Sequence, residues 1–143
     1  MIGLIVTGHS HFASGMTSAL KLISGSHLQK YEYVDFDDFD TTEILETKLN
    51  QAFKNLKECD GILVCCDLMG GSPFKLSTMI GVPLKNVEII AGVNLPMLIE
   101  VNMLRQFEEN VVELAEHMIE VGQSMITRYV FQMVVDEEPD DGI

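Results

Sequence analysis

A chain of 143 residues and 15.9 kDa is one domain on length alone, with enough core to bury on the order of 70% of its unfolded surface. With 47% hydrophobic and 22% charged residues it is neither disordered nor fibrous. Nine Lys and Arg against 22 Asp and Glu leave a net charge of −13, a surface that repels phosphate backbones and anionic bilayers and argues against nucleic acid or direct membrane insertion.

Residues 2–6 form an apolar run of strand length. They lack a basic flank and are too few to span a bilayer, so neither a signal peptide nor a transmembrane helix is expected and a cytoplasmic location is. Phe12, Met16, Ala19, Leu20 and Ile23 recur at helical spacing, and Gly25 is a natural helix end. Residues 31–36 are β-branched and aromatic enough for a second strand. The acidic turn Asp37, Asp38 and Asp40 follows. There Asp40 is expected to cap a helix, with Glu43 as its capping-box partner and Leu45, Leu49, Ala52, Phe53 and Leu56 on the buried face.

Residues 61–66 are apolar at successive positions, the mark of a central strand buried on both faces, and they end at Asp67. Their cysteines, Cys65 and Cys66, make with Cys59 an odd total of three, which reads as reduced core thiols. Gly70-Gly71-Ser72-Pro73 has the order of loop, N-cap and first-turn proline, so a helix over 73–80 capped by Ser72 is expected. Residues 87–91 are the fourth strand, and Asn94 is placed to cap a helix carrying Leu98, Val101 and Leu104. A fifth helix has Glu108 and Glu109 near its positive end and a stripe of Val111, Ala115, Met118, Ile119 and Ile126. Residues 129–135 are strand-like by residue type, and 136–143 are an acidic tail.

Strands alternating with helices predict a three-layer α/β domain over 1–135, with a mostly parallel four-stranded sheet in the order 2-1-3-4. In such sheets ligands bind beyond the carboxyl ends of strands where the winding reverses. That order sets the turn Gly8-His9-Ser10-His11 beside Asp67. A carboxylate bonded to one ring nitrogen of a histidine fixes the tautomer, leaves the other nitrogen nucleophilic and stabilises the cation formed on attack. His9 would react and Asp67 would orient it. The helix start at Gly71 and Ser72 offers backbone N–H groups and a hydroxyl to a phosphoryl group in the same crevice.

Three blocks together, Gly8-His9-Ser10-His11-Phe12-Ala13-Ser14-Gly15, Asp67 to Phe74 and Gly92-Val93-Asn94-Leu95-Pro96-Met97, resemble the IIA components of the mannose-type branch of the bacterial sugar phosphotransferase system. The resemblance implies a phosphocarrier that takes a phosphoryl group on Nε2 of His9 from the histidine phosphocarrier protein HPr and passes it to a IIB component. It implies that Asp67 bonds the other ring nitrogen, that Ser72 lies by the phosphoryl group, and that the chain needs no cofactor. It also implies a homodimer in which the C-terminal strand, here 129–135, is exchanged antiparallel onto the other subunit's sheet. Ser10 departs from the family's usual glycine, and His11 is an added imidazole. A His-Ser turn also occurs in the related subunit that serves dihydroxyacetone kinase.

Other readings of the same residues are a divalent-metal hydrolase built on His9, His11 and Asp67, which lacks an evident fourth ligand, and a receiver module phosphorylated on Asp67, which lacks the acidic pair after the first strand. His27 and His117 read as surface residues. The nine methionines are scattered as core filler, and the Asp37–Asp38–Asp40 turn lacks calcium-loop spacing.

Overall fold

The computed structural model describes residues 1–133. The elements run β1 (Gly3–His9), α1 (Phe12–Ser24), β2 (Tyr31–Phe36), α2 (Thr42–Asn55), β3 (Ile62–Cys66), α3 (Ser72–Gly81), β4 (Val87–Ile90), α4 (Leu95–Leu104) and α5 (Val111–Ser124). All strand pairs are parallel and the order is β2-β1-β3-β4, as expected from the alternation.

Each strand divides its side chains between two cores, because successive residues point to opposite faces. Ile2, Leu4 and Val6, with Leu63 and Cys65, pack under α1, α4 and α5. Ile5, Val64 and Cys66 pack against Leu45, Leu49 and Phe53 of α2 on the other face. Each such fully buried aliphatic side chain contributes roughly 1.5–3 kcal/mol of transfer free energy. None of the helices among the described residues is long and apolar enough to cross a membrane.

Several local expectations change once tertiary partners are present. Strand β1 continues past its apolar run to His9, because Thr7 donates through Oγ1 to the Val34 carbonyl at 2.8 Å and β2 offers ladder partners as far as Phe36. On α1 the buried face is Ala13, Thr17 and Leu20, while Ile23 is exposed. The Thr17 hydroxyl is tolerated there because it lies 2.6 Å from the Ala13 carbonyl, to which it can donate, and 2.8 Å from the Tyr31 hydroxyl.

Helix α2 is capped by Thr41, whose hydroxyl accepts from the Ile44 N–H, and not by Asp40. The Asp40 carboxylate accepts instead from Lys48 and from the Asp37 N–H. Helix α3 begins one residue early. Gly71 is its extended N-cap and its carbonyl accepts the Lys75 N–H at 2.9 Å, so Ser72 is the first helical residue rather than the cap. Asn94 does cap α4, accepting from the Met97 N–H at 3.2 Å.

Helix α5, capped by Asn110, buries Val111, Leu114, Ala115 and Met118. Ile119 is partly exposed, and a tightened last turn, with the Ile126 N–H on the Gln123 carbonyl at 3.3 Å, leaves Ile126 outside the helix. Of the expected strand over 129–135, residues 129–133 form no ladder with their own chain. Residues 134 and 135 and the acidic tail lie outside the described residues.

Candidate functional site

His9 is the last residue of β1, and Asp67 follows β3, the neighbouring strand. Parallel pairing brings both chain ends to the carboxyl edge of the sheet, so residues 58 apart in sequence meet. Asp67 Oδ2 lies 2.7 Å from His9 Nδ1 and accepts the His9 backbone N–H at 2.8 Å. Its other oxygen, Oδ1, accepts the Leu68 N–H at 2.8 Å.

Burial alone would raise the Asp67 carboxyl. The His9 N–H, the imidazole and the Leu68 N–H outweigh that and hold it below the usual carboxylate range. An ionised carboxylate only accepts hydrogen bonds, so the neutral His9 ring carries its proton on Nδ1 and leaves the Nε2 lone pair free. Among the described residues Nε2 makes no hydrogen bond. The imidazole is 44% exposed while the Asp67 side chain is 12% exposed, so a partly buried anion holds an accessible ring.

Gly71 stands where that ring points. A Cβ built on Gly71 would fall 2.7 Å from His9 Cε1 and 3.4 Å from Nε2, so the glycine supplies the clearance in which the ring sits. Gly8 does the same behind it, since a Cβ there would lie 2.9 Å from Asp67 Cγ. Ser72 is half-buried at the start of α3, next to this contact. The unpaired N–H groups of that first turn and the positive end of the helix dipole favour an anion nearby.

Two further residues shape the site and were not singled out from the sequence. Phe36, the register partner of His9 at the end of β2, sets its ring 5.9 Å from the imidazole at 56°. Asp35 accepts the Ser14 N–H at 2.9 Å through Oδ1 and so caps the first turn of α1 from a different strand. Both follow from strand order rather than from any local pattern. Ser10 holds φ 49°, a left-handed backbone conformation that favours glycine, and its N–H donates to the Phe36 carbonyl at 2.8 Å.

His11 does not join His9 and Asp67. It is 81% exposed, with Nδ1 3.8 Å from Asp35 Oδ2 and 3.7 Å from Asp37 Oδ1. Among the described residues the one group of possible metal ligands is therefore His11, Asp35 and Asp37, and the set His9, His11 and Asp67 is not brought together. His27 is exposed, and His117 Nε2 lies 3.1 Å from Glu100 on the surface.

The family model described as the phosphotransferase system (PTS) fructose IIA component, EIIA-man, matches residues 3–119. The chain is 30% identical over 122 residues to the PTS system mannose-specific EIIAB component of Escherichia coli K12, covering 85% of this chain and 38% of that relative. It is 25% identical over 138 residues to the PTS system sorbose-specific EIIA component of Lacticaseibacillus casei, covering 96% of this chain and 98% of the relative. In three dimensions it resembles EIIA from Streptococcus agalactiae, with a TM-score of 0.81, 28% identity and coverage of 90% and 97% of the two chains. The mannose/sorbose-specific IIA subunit from Enterococcus faecalis also superposes with a TM-score of 0.81 at 28% identity, covering 91% and 96%.

Proposed function

The chain belongs to the EIIA-man family of PTS IIA components, and from that premise we propose that it is a phosphocarrier of a sugar phosphotransferase system that works through a phosphohistidine at His9. The observation that carries this reading is the His9–Asp67 pair, which holds the ring through Nδ1 and leaves Nε2 accessible and without a hydrogen bond among the described residues.

The Nε2 lone pair attacks the phosphorus of phospho-HPr. A new N–P bond forms as the bond to the donor's imidazole breaks, and the electron pair of that bond leaves with the donor. The His9 ring gains positive charge during attack, and Asp67, hydrogen-bonded to Nδ1–H, stabilises it. Gly71 leaves room for the incoming group, and the first turn of α3 with Ser72 receives its oxygens. The same steps in reverse pass the group to a IIB component. A 44% exposed imidazole suits a macromolecular donor and acceptor, whose own histidine or cysteine must reach it.

The chain also acts as a homodimer in this reading. Tyr129, Val130, Phe131 and Met133 are all more than half exposed in the single chain, and pairing 129–135 with an edge strand of a second subunit covers them.

Incubation with phosphoenolpyruvate, enzyme I and HPr should add one phosphoryl group by intact mass, in an acid-labile, base-stable linkage that maps to His9. His9→Gln should abolish the gain and His11→Gln should keep it. A phosphoryl group on His11 or on an aspartate overturns the reading. Sedimentation as a monomer at micromolar concentration overturns the dimer.

A further inference from the structure

We propose that Phe36 is a positioning residue for this transfer, covering one side of the His9 imidazole so that Nε2 keeps its direction and the ring's developing charge is stabilised. The inference rests on the reading of His9 as the phosphoacceptor and adds a residue to it.

The bond from Nδ1 to Asp67 fixes one edge of the imidazole and leaves the ring free to tilt about that edge. Gly71 sets a limit at Cε1, where even a methyl group would collide. The third constraint is Phe36. Its ring centroid is 5.9 Å from that of His9 at an interplanar angle of 56°, a tilted arrangement within the usual range of aromatic pairs.

Phe36 is itself held in place. It ends β2 in register with His9, and its carbonyl accepts the Ser10 N–H at 2.8 Å, so the backbone just past the nucleophile is tied to the residue that packs on it. Ser10 adopts φ 49° to make that bond, which gives the departure from glycine a structural setting. The separation also falls within the about 6 Å over which the face of an aromatic ring attracts a cation. During transfer the His9 ring becomes cationic, and Phe36 is then the uncharged neighbour able to stabilise that charge beside the anionic Asp67.

Leu and Met fill most of the volume of Phe but lack its quadrupole, whereas Tyr keeps both. The experiment compares single-turnover phosphorylation by phospho-HPr, and the KM and kcat of steady-state transfer, for Phe36→Leu, Phe36→Met and Phe36→Tyr. The His9 Cε1–H chemical shift reports the ring current of Phe36, and the amide spectrum confirms folding.

Phe36→Leu and Phe36→Met should lower kcat about three- to tenfold with KM for HPr unchanged and should move the Cε1–H resonance. Phe36→Tyr should retain both. Unchanged kcat in a folded Leu or Met variant overturns the proposal, and so does a change confined to KM, which would make Phe36 a docking contact. If the wild type takes no phosphoryl group on His9, the underlying reading falls with it. Wild-type phosphorylation with unaffected variants removes Phe36 alone.

Discussion

One carboxylate oxygen of Asp67 holds His9 at two points, 2.8 Å from the backbone N–H and 2.7 Å from Nδ1. The shared acceptor couples the direction of the ring to the end of β1, so a shift of the strand and a swing of the side chain are opposed by the same group. An amide in this place keeps the shape and loses the charge.

Asp67→Asn should therefore leave the fold intact and slow phosphoryl acceptance at least about tenfold, the equivalent of losing a hydrogen bond to an ion worth about 1.5–3 kcal/mol. Stopped-flow transfer from phospho-HPr measures it. Wild-type rates in a folded variant would show that the contact plays no part in the chemistry.

Gly71→Ala tests clearance. Its Cβ would fall 2.7 Å from His9 Cε1, so either the imidazole or the first turn of α3 must move. The variant should fold, with a melting temperature within a few degrees of the wild type, and lose about tenfold or more in transfer rate, because misplacement of about 1 Å at a reacting atom costs up to a hundredfold. Equal rates would mean that the ring has room elsewhere.

Stability should follow pH as a plateau with two falling limbs. The Asp67 carboxyl lies below the usual range in the fold, so its contribution is complete above about pH 4 and is lost as pH falls through its own lower value. Burial pushes the Cys66 thiol up to about 12 and raises the Cys65 thiol and Tyr31 hydroxyl as well. Groups raised in the fold stabilise fully below their ordinary values and cease to do so as pH rises, so the alkaline limb begins at about pH 9. Urea unfolding across pH should show both limbs. Asp67→Asn should flatten the acid one and Cys66→Ala the alkaline one.

Arg105 is 2% exposed and answers three carbonyls, Ile2 at 3.1 Å, Lys30 at 3.0 Å and Gln29 at 2.5 Å, together with the Asn102 side chain. It pins the end of α4 to the entry of β1 and the approach to β2, at the edge of the sheet opposite His9. Arg105→Met leaves those carbonyls short of donors and should cost roughly 3 kcal/mol or more by chemical denaturation, while the folded fraction transfers phosphoryl groups normally. A loss under 1 kcal/mol would show that water replaces the guanidinium.

Strand and helix alternation, the parallel order β2-β1-β3-β4 and the faces of α2 and α4 could be read from residue period, because burial of apolar side chains is what selects those elements. Capping was harder. Asp40 and Thr41 are both good N-caps by type, and Lys48, eight residues on from Asp40, decides between them by drawing the carboxylate to itself. At α3, Gly71 and Ser72 are likewise both acceptable caps, and the choice turned on where the helical ladder begins.

The amino-acid order alone determined the sheet, the turn that ends β1 and the acid that follows β3, since each depends on local period, turn chemistry and the handedness of crossovers. Only the tertiary structure decided how the site is built. The contacts of His9 with Asp67, Phe36 and Gly71 join three separate loop and strand ends, 58, 27 and 62 residues away from it along the chain, and distances of a few tenths of an ångström matter there. Such contacts carry no periodic signal. They are set by packing between elements, which is also why Arg105, one basic residue at the end of an apolar helix, gives no sign in the sequence of the three carbonyls it gathers.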